Sequence, residues 1–147
     1  MKTNPQTSSA SIEKAKQELL AIHASHRQAH FDTDAEALLA NQAESYTYVR
    51  DGVIHHVSLD SSREQFKKYF KNATYYEWDN LEEPIIKVSQ DASLAWMITR
   101  TKVRRTQIDE SGQQHEQKFV YAGVMMYEKR DGEWIYTANV STFEQLP

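Results

Sequence analysis

Three histidines crowd the stretch AIHASHRQAH at residues 21–30: His23, His26 and His30. An imidazole with its ordinary pKa near 6.5 can accept a proton, give one up or ligate a metal close to neutral pH. Residues four apart share one side of a helix, so His26 and His30 have the spacing to hold one ion, with His55 or His56 as a third ligand. The helix carries neither an HExxH motif nor a carboxylate at a matching offset. No metal and no other cofactor is therefore assigned.

Periodicity separates the three. His26 falls on the apolar stripe of Ile12, Ala15, Leu19, Ile22 and Ala29, which recur at steps of three and four. It faces the interior or a pocket, whereas His23 and His30 sit beside the stripe, nearer a rim. Two readings of His26 stay open: a hydrogen-bonded core group, or a pocket histidine that binds or moves a proton.

Aromatic residues supply the second constellation. Tyr46 and Tyr48 alternate onto one face of a strand, as do Trp96, Ile98 and Arg100 on a longer one. Turned inward, those faces make flat apolar walls with one fixed charge, suited to a flat ligand bearing a carboxylate or enolate oxygen. Turned outward, Arg100 pairs with an acid across strands and Trp96 is packing. Trp78 and Tyr76 pose the same choice. Asn139 and Ser141, on the last strand, line a pocket or face a partner. The candidate ligand contacts are His30, Tyr46, Tyr48, Trp96, Arg100, Tyr121 and Asn139, with His26 the candidate catalytic acid or base.

The elements that must position these groups read as follows. Residues 1–10 form a flexible tail and residues 11–147 one domain. A long helix runs from Ser11. TDAE at Thr33–Glu36 has capping-box spacing and opens a short second helix, and SSRE, with Ser61 as cap, opens a third. Asp51-Gly52 turns a hairpin between two β-favouring runs, and turn chemistry accounts for Asp51. Pro84 interrupts the next strands. Two long strands then pair across DESGQQ, and RDGE turns into a last one. This is an α+β order. In FVYAGVMMY, Phe119, Tyr121, Met125 and Tyr127 share one face, and Val120, Ala122, Val124 and Met126 the other. A strand apolar on both faces is covered on both, which predicts a homodimer packed sheet to sheet.

The totals exclude several classes. The chain has 147 residues, 39% of them hydrophobic and 11% aromatic, and a formal charge of −4. Its lysines and arginines are dispersed, against a nucleic-acid partner. No run approaches a membrane span, and MKTNPQTSSA lacks the apolar core of a signal peptide, so a cytoplasmic location is expected. Without cysteine there is no disulfide or thiolate chemistry.

DTDAEALLA, SREQFKKYF, IIKVSQDASLAW and VMMYEKRDGEWIYTANVSTF, in this order over residues 11–143, resemble the nuclear-transport-factor-2-like superfamily, which includes SnoaL-like cyclases and ketosteroid isomerases. The resemblance implies a cone: a strongly curved antiparallel sheet wrapped around N-terminal helices, with a mostly apolar pocket at its open end and dimerisation through the outer sheet face. In the isomerase branch a tyrosine that holds the substrate's oxyanion falls at His26. The general-base carboxylate falls at Val49 or Arg50, and the second oxyanion donor near Gly123 or Val124. Both carboxylates are missing, which argues against steroid isomerisation. The expectation is a SnoaL-like pocket protein for a small apolar molecule, acting by proton transfer of the isomerase, dehydratase or cyclase type. The alternative is a non-catalytic binding or dimeric association module.

Overall fold

A computed structural model describes residues 9–147. The expected tail lies outside the described residues except for Ser9 and Ala10, which begin the first helix. That helix, α1 (Ser9–Asp32), buries Ala15, Leu19, His26, Ala29 and His30 along the side that faces the sheet. It ends at Thr33, whose φ of +48° is a left-handed conformation that no helix continues through. The cap of α2 (Ala35–Leu39) is consequently Asp34 rather than Thr33: its carboxylate accepts from the Ala37 amide at 3.0 Å. A similar shift applies to α3 (Leu59–Phe70). It starts earlier than SSRE suggests, because Ser58 is the residue with extended backbone and an oxygen placed to accept from the Ser61 amide.

Seven strands form one open sheet in the order β2-β1-β7-β6-β5-β3, with β4 pairing the other end of β5. They are β1 (Gln42–Arg50), β2 (Val53–Ser58), β3 (Ala73–Asn80), β4 (Ile85–Val88), β5 (Leu94–Ile108), β6 (Gln114–Arg130) and β7 (Glu133–Gln145). Every neighbouring pair is antiparallel except β1 and β7. Parallel pairing needs a long return connection, and here everything from β2 to β6 supplies it.

Two bulges decide which side chains face inward. Tyr136 opposes Tyr127 and Ala138 opposes Met126, so Thr137 is an extra residue on β7. Inward-facing positions therefore change from Trp134 and Tyr136 to Asn139, Ser141 and Phe143. On β3, Tyr75 opposes Arg105 and Glu77 opposes Arg104, which makes Tyr76 the extra residue. That bulge turns Tyr76 out to solvent and brings Trp78 in behind Tyr75.

The inner sheet face packs on the helices through two clusters. Ala15 and Leu19 meet Met97, Tyr127 and Trp134, while Ala29, Ala35 and Leu38 meet Phe70, Val103 and Phe119. Fully buried side chains such as Leu19, Met97 and Val103 each stabilise the fold by about 2 kcal/mol. Arg105, also wholly buried, reaches the end of α3: it donates to the Tyr69 carbonyl at 3.4 Å, the Tyr75 hydroxyl at 2.9 Å and Gln107 Oε1 at 2.6 Å. Gln107 Nε2 donates to the carbonyls of Tyr69 and Lys71. β5 thus caps the helix C-terminus, where a cation is favoured by the helix dipole. No helix of the described residues is long and apolar enough to cross a membrane.

Candidate functional site

A cavity of about 300 Å³ lies between the helices and the inner sheet face. α1 contributes His23, His26 and His30, and β1 contributes Gln42 and, at alternate positions, Tyr46, Tyr48 and Arg50. Phe66 and Tyr69 enter from α3, Trp78 from β3, Tyr121 and Met125 from β6, and Asn139 and Ser141 from β7. Of the residues expected to meet a ligand, His30, Tyr46, Tyr48, Tyr121 and Asn139 converge here, together with His26. Trp96 and Arg100 do not. Both sit on the opposite face of β5 from Met97 and Thr99, so pleating sends them outward. Trp96 is 37% exposed, and Arg100 lies 3.9 Å from Glu82 on the surface.

His30 is more deeply placed than its position beside the stripe suggests. It is as buried as His26, because Trp78 stacks flat on it with ring centroids 3.7 Å apart. Its Nδ1–H donates to the His26 carbonyl at 2.7 Å, which leaves Nε2 the acceptor in the neutral ring. His26 packs edge-on against Tyr136, and its Nε2 is buried with no hydrogen-bond partner among the described residues. Burial lowers the pKa of His26 to about 3, helped by His30 and His23. Burial also dominates at His30, lowering it to about 4; the His26 carbonyl opposes this and Arg105 and His23 add to it. Both rings are neutral near pH 7, which makes them hydrogen-bonding groups rather than proton reservoirs. His23 stays at the rim, hydrogen-bonded to Asn80.

The opposite wall holds a chain of neutral dipoles. The Tyr46 hydroxyl donates to Asn139 Oδ1. With Oδ1 engaged, the Asn139 amide nitrogen is left as a donor, and Asn139 acts on the Tyr121 phenol in the sense of a donor, lowering its pKa. Burial pushes the Tyr121 pKa up to about 12, against the smaller lowering from Asn139. Burial raises Tyr46 as well. The raised pKa keeps the Tyr121 hydroxyl protonated near pH 7. Gly123 makes this arrangement possible: a Cβ there would stand 2.7 Å from Tyr121 Oη and 2.5 Å from the Val140 carbonyl oxygen. A phenol thus lies over the position where the resemblance would place a buried acid.

Among the described residues, no Asp or Glu lines the cavity. Arg50 lines it, one of the two positions, with Val49, at which the resemblance would place a base. Pleating alone carries the signal that finds Arg50, since it continues the Tyr46, Tyr48 alternation. Phe66, Tyr69 and Tyr136 also belong to the lining, but nothing in their local sequence separates them from core aromatics. Among the described residues, no group of His, Asp or Glu is placed to hold a metal ion.

No family model matches the chain, and no curated protein matches it in sequence. Solved structures do match in fold. A ketosteroid isomerase-like protein from Erwinia carotovora atroseptica superposes with a TM-score of 0.64 at 17% identity, over 86% of this chain and 94% of that one. An NTF2-like protein from Cytophaga hutchinsonii gives 0.63 at 13%, over 86% and 96%. An uncharacterized protein with a cystatin-like fold from Caulobacter vibrioides gives 0.67 at 12%, over 89% and 90%. The chain has the nuclear-transport-factor-2-like fold, with the cystatin-like arrangement of helices against a large open sheet. A fold of this kind fixes where a pocket lies and leaves its chemistry to the side chains.

Proposed function

We propose that this protein binds a small, mostly apolar molecule inside the cavity, through aromatic contact and hydrogen bonds from neutral groups. The observation that carries this reading is an aromatic-lined cavity of about 300 Å³ whose deep polar groups, His26, His30 and Tyr46, are uncharged near pH 7. The Tyr121 hydroxyl supplies a donor on the facing wall. Proton transfer is less well supported than binding. An imidazole with a pKa near 3 is a weak base, and among the described residues no carboxylate lines the cavity to take its place.

1-Naphthamide is a suitable neutral probe, having a flat apolar body and one carbonyl. Saturable one-to-one binding by calorimetry is the expected result, with loss of binding when Ser141→Phe fills the cavity. No binding, or equal binding to the filled variant, refutes the reading. Thermal melting of the variant distinguishes a filled cavity from an unfolded chain.

A second reading rests on the outer sheet face. Ile85 opposes Ile98, Trp96 opposes Met126, and Val124 opposes both Ile98 and Val140, making one apolar surface across four strands. Trp96, Ile98, Met126 and Val140 are each 37–44% exposed. Continuous exposed apolar area of this kind suits the same face of a second copy. The dimer and the cavity use opposite faces of the sheet, so the two readings are compatible.

A further inference from the structure

We propose that the ligand of this cavity is an anion: a flat apolar carboxylic acid whose rings lie against Tyr46 and Tyr48 and whose carboxylate pairs with Arg50 at the mouth. This rests on the binding reading above and adds the ligand's charge.

β1 carries the first argument. Its inward positions run Tyr46, Tyr48, Arg50, passing from buried through half-buried to exposed. The wall is therefore graded from apolar depth to charged rim, in the order that an apolar acid presents ring and head group. Tyr48 is held flat by His55, with ring centroids 4.4 Å apart, so the ring that the ligand would meet is preorganised.

Charge balance carries the second. No carboxylate among the described residues lines the cavity, so none of them neutralises Arg50 from inside it. Its one ion pair among the described residues is with the neighbouring Asp51, at 3.7 Å from Nε, and the Asp51 side chain is 87% exposed. The guanidinium lies 5.7 Å from the centre of the Phe143 ring, itself part of the lining. A second cation stands behind the inner wall. Arg105 is wholly buried, 3.9 Å from the centre of the Tyr69 ring, and all its hydrogen-bond partners are neutral. An uncompensated buried cation gives its surroundings a positive potential that favours an anion nearby. A neutral ligand gains at most a hydrogen bond from Arg50, and a cationic one is repelled.

The test compares 1-naphthoate with 1-naphthamide on the full chain, by calorimetry at low and high salt. Naphthoate is expected to bind about five- to tenfold more tightly, with the preference shrinking as salt rises. Arg50→Gln is expected to weaken naphthoate several-fold more than naphthamide and so to erase most of the preference, while Arg50→Lys restores part of it. Equal affinities for the two probes, or an equal loss of both in R50Q, overturn the proposed charge and leave the cavity reading intact. Failure of both probes to bind the wild-type chain overturns both readings.

Discussion

His30 lies flat against Trp78, ring centroids 3.7 Å apart and planes 20° from parallel, while its Nδ1–H is held by the His26 carbonyl. The ring is thereby fixed between α1 and β3 in its neutral form, with its other nitrogen an acceptor.

Holding two imidazoles neutral makes stability depend on pH. The folded pKa values, about 3 for His26 and about 4 for His30, lie below the ordinary 6.5. The unfolded chain binds more protons between those limits, so the stability is fully present above pH 6.5 and is lost as pH falls toward 4. By pH 5 each histidine accounts for a loss of about 2 kcal/mol. Chemical denaturation at pH 7.5 and pH 5 is expected to show the drop, and a flat profile contradicts it.

His26→Leu removes one of these groups and its unpartnered nitrogen. The variant is expected to be at least as stable as wild type at pH 7, because an unpaired buried polar atom is replaced by an apolar one of similar size. Its loss of stability toward pH 5 is expected to shrink by about half. Affinity for naphthamide is expected to fall in the same variant; unchanged affinity would remove His26 from the site.

Gly123→Ala places a methyl group 2.5 Å from the Val140 carbonyl oxygen, which β-sheet pairing holds in place. Alanine is ordinarily the better strand residue, so the sign here comes from the clash. A destabilisation of about 2–3 kcal/mol is expected from urea unfolding. Adding Tyr121→Phe frees the hydroxyl side of the contact but not the backbone side, so it is expected to restore little.

Arg105→Met keeps the apolar length of the side chain and removes a buried cation. The desolvation cost avoided offsets the hydrogen bonds lost at the end of α3, and a change within about 1 kcal/mol is expected. Arg105→Ala leaves a void and is expected to cost about 3 kcal/mol. The methionine variant is also expected to raise the His30 pKa, since Arg105 helps to lower it. Titration followed by histidine nuclear magnetic resonance reads that directly.

Most of the fold was legible because its cues are local. The helical stripe, the Asp51-Gly52 turn and the long paired strands each follow from spacing within a dozen residues. The site was legible only in part, for reasons visible at three positions. Tyr121 and Asn139 reach the cavity as expected, but Asn139 does so through an extra residue at Thr137 that alternation in the sequence does not reveal. Trp78 enters by the same device at Tyr76. Trp96 and Arg100 have the chemistry of a pocket wall, yet which face of β5 turns inward is set by packing against α1, a contact between distant parts of the chain. His30 is buried by Trp78, forty-eight positions away in sequence, as its stacked partner.

Met125 and Met126 provide the most direct test of the central claim, because they are neighbours on β6 that face opposite ways. Met125 lines the cavity, and Met126 is 44% exposed on the outer face. Methyl nuclear magnetic resonance on methionine-labelled protein, titrated with 1-naphthamide, is expected to shift the Met125 signal in a saturable way and leave Met126 in place. A saturable shift confined to Met126, or no shift at Met125 on binding, would put the ligand outside the cavity and contradict the account.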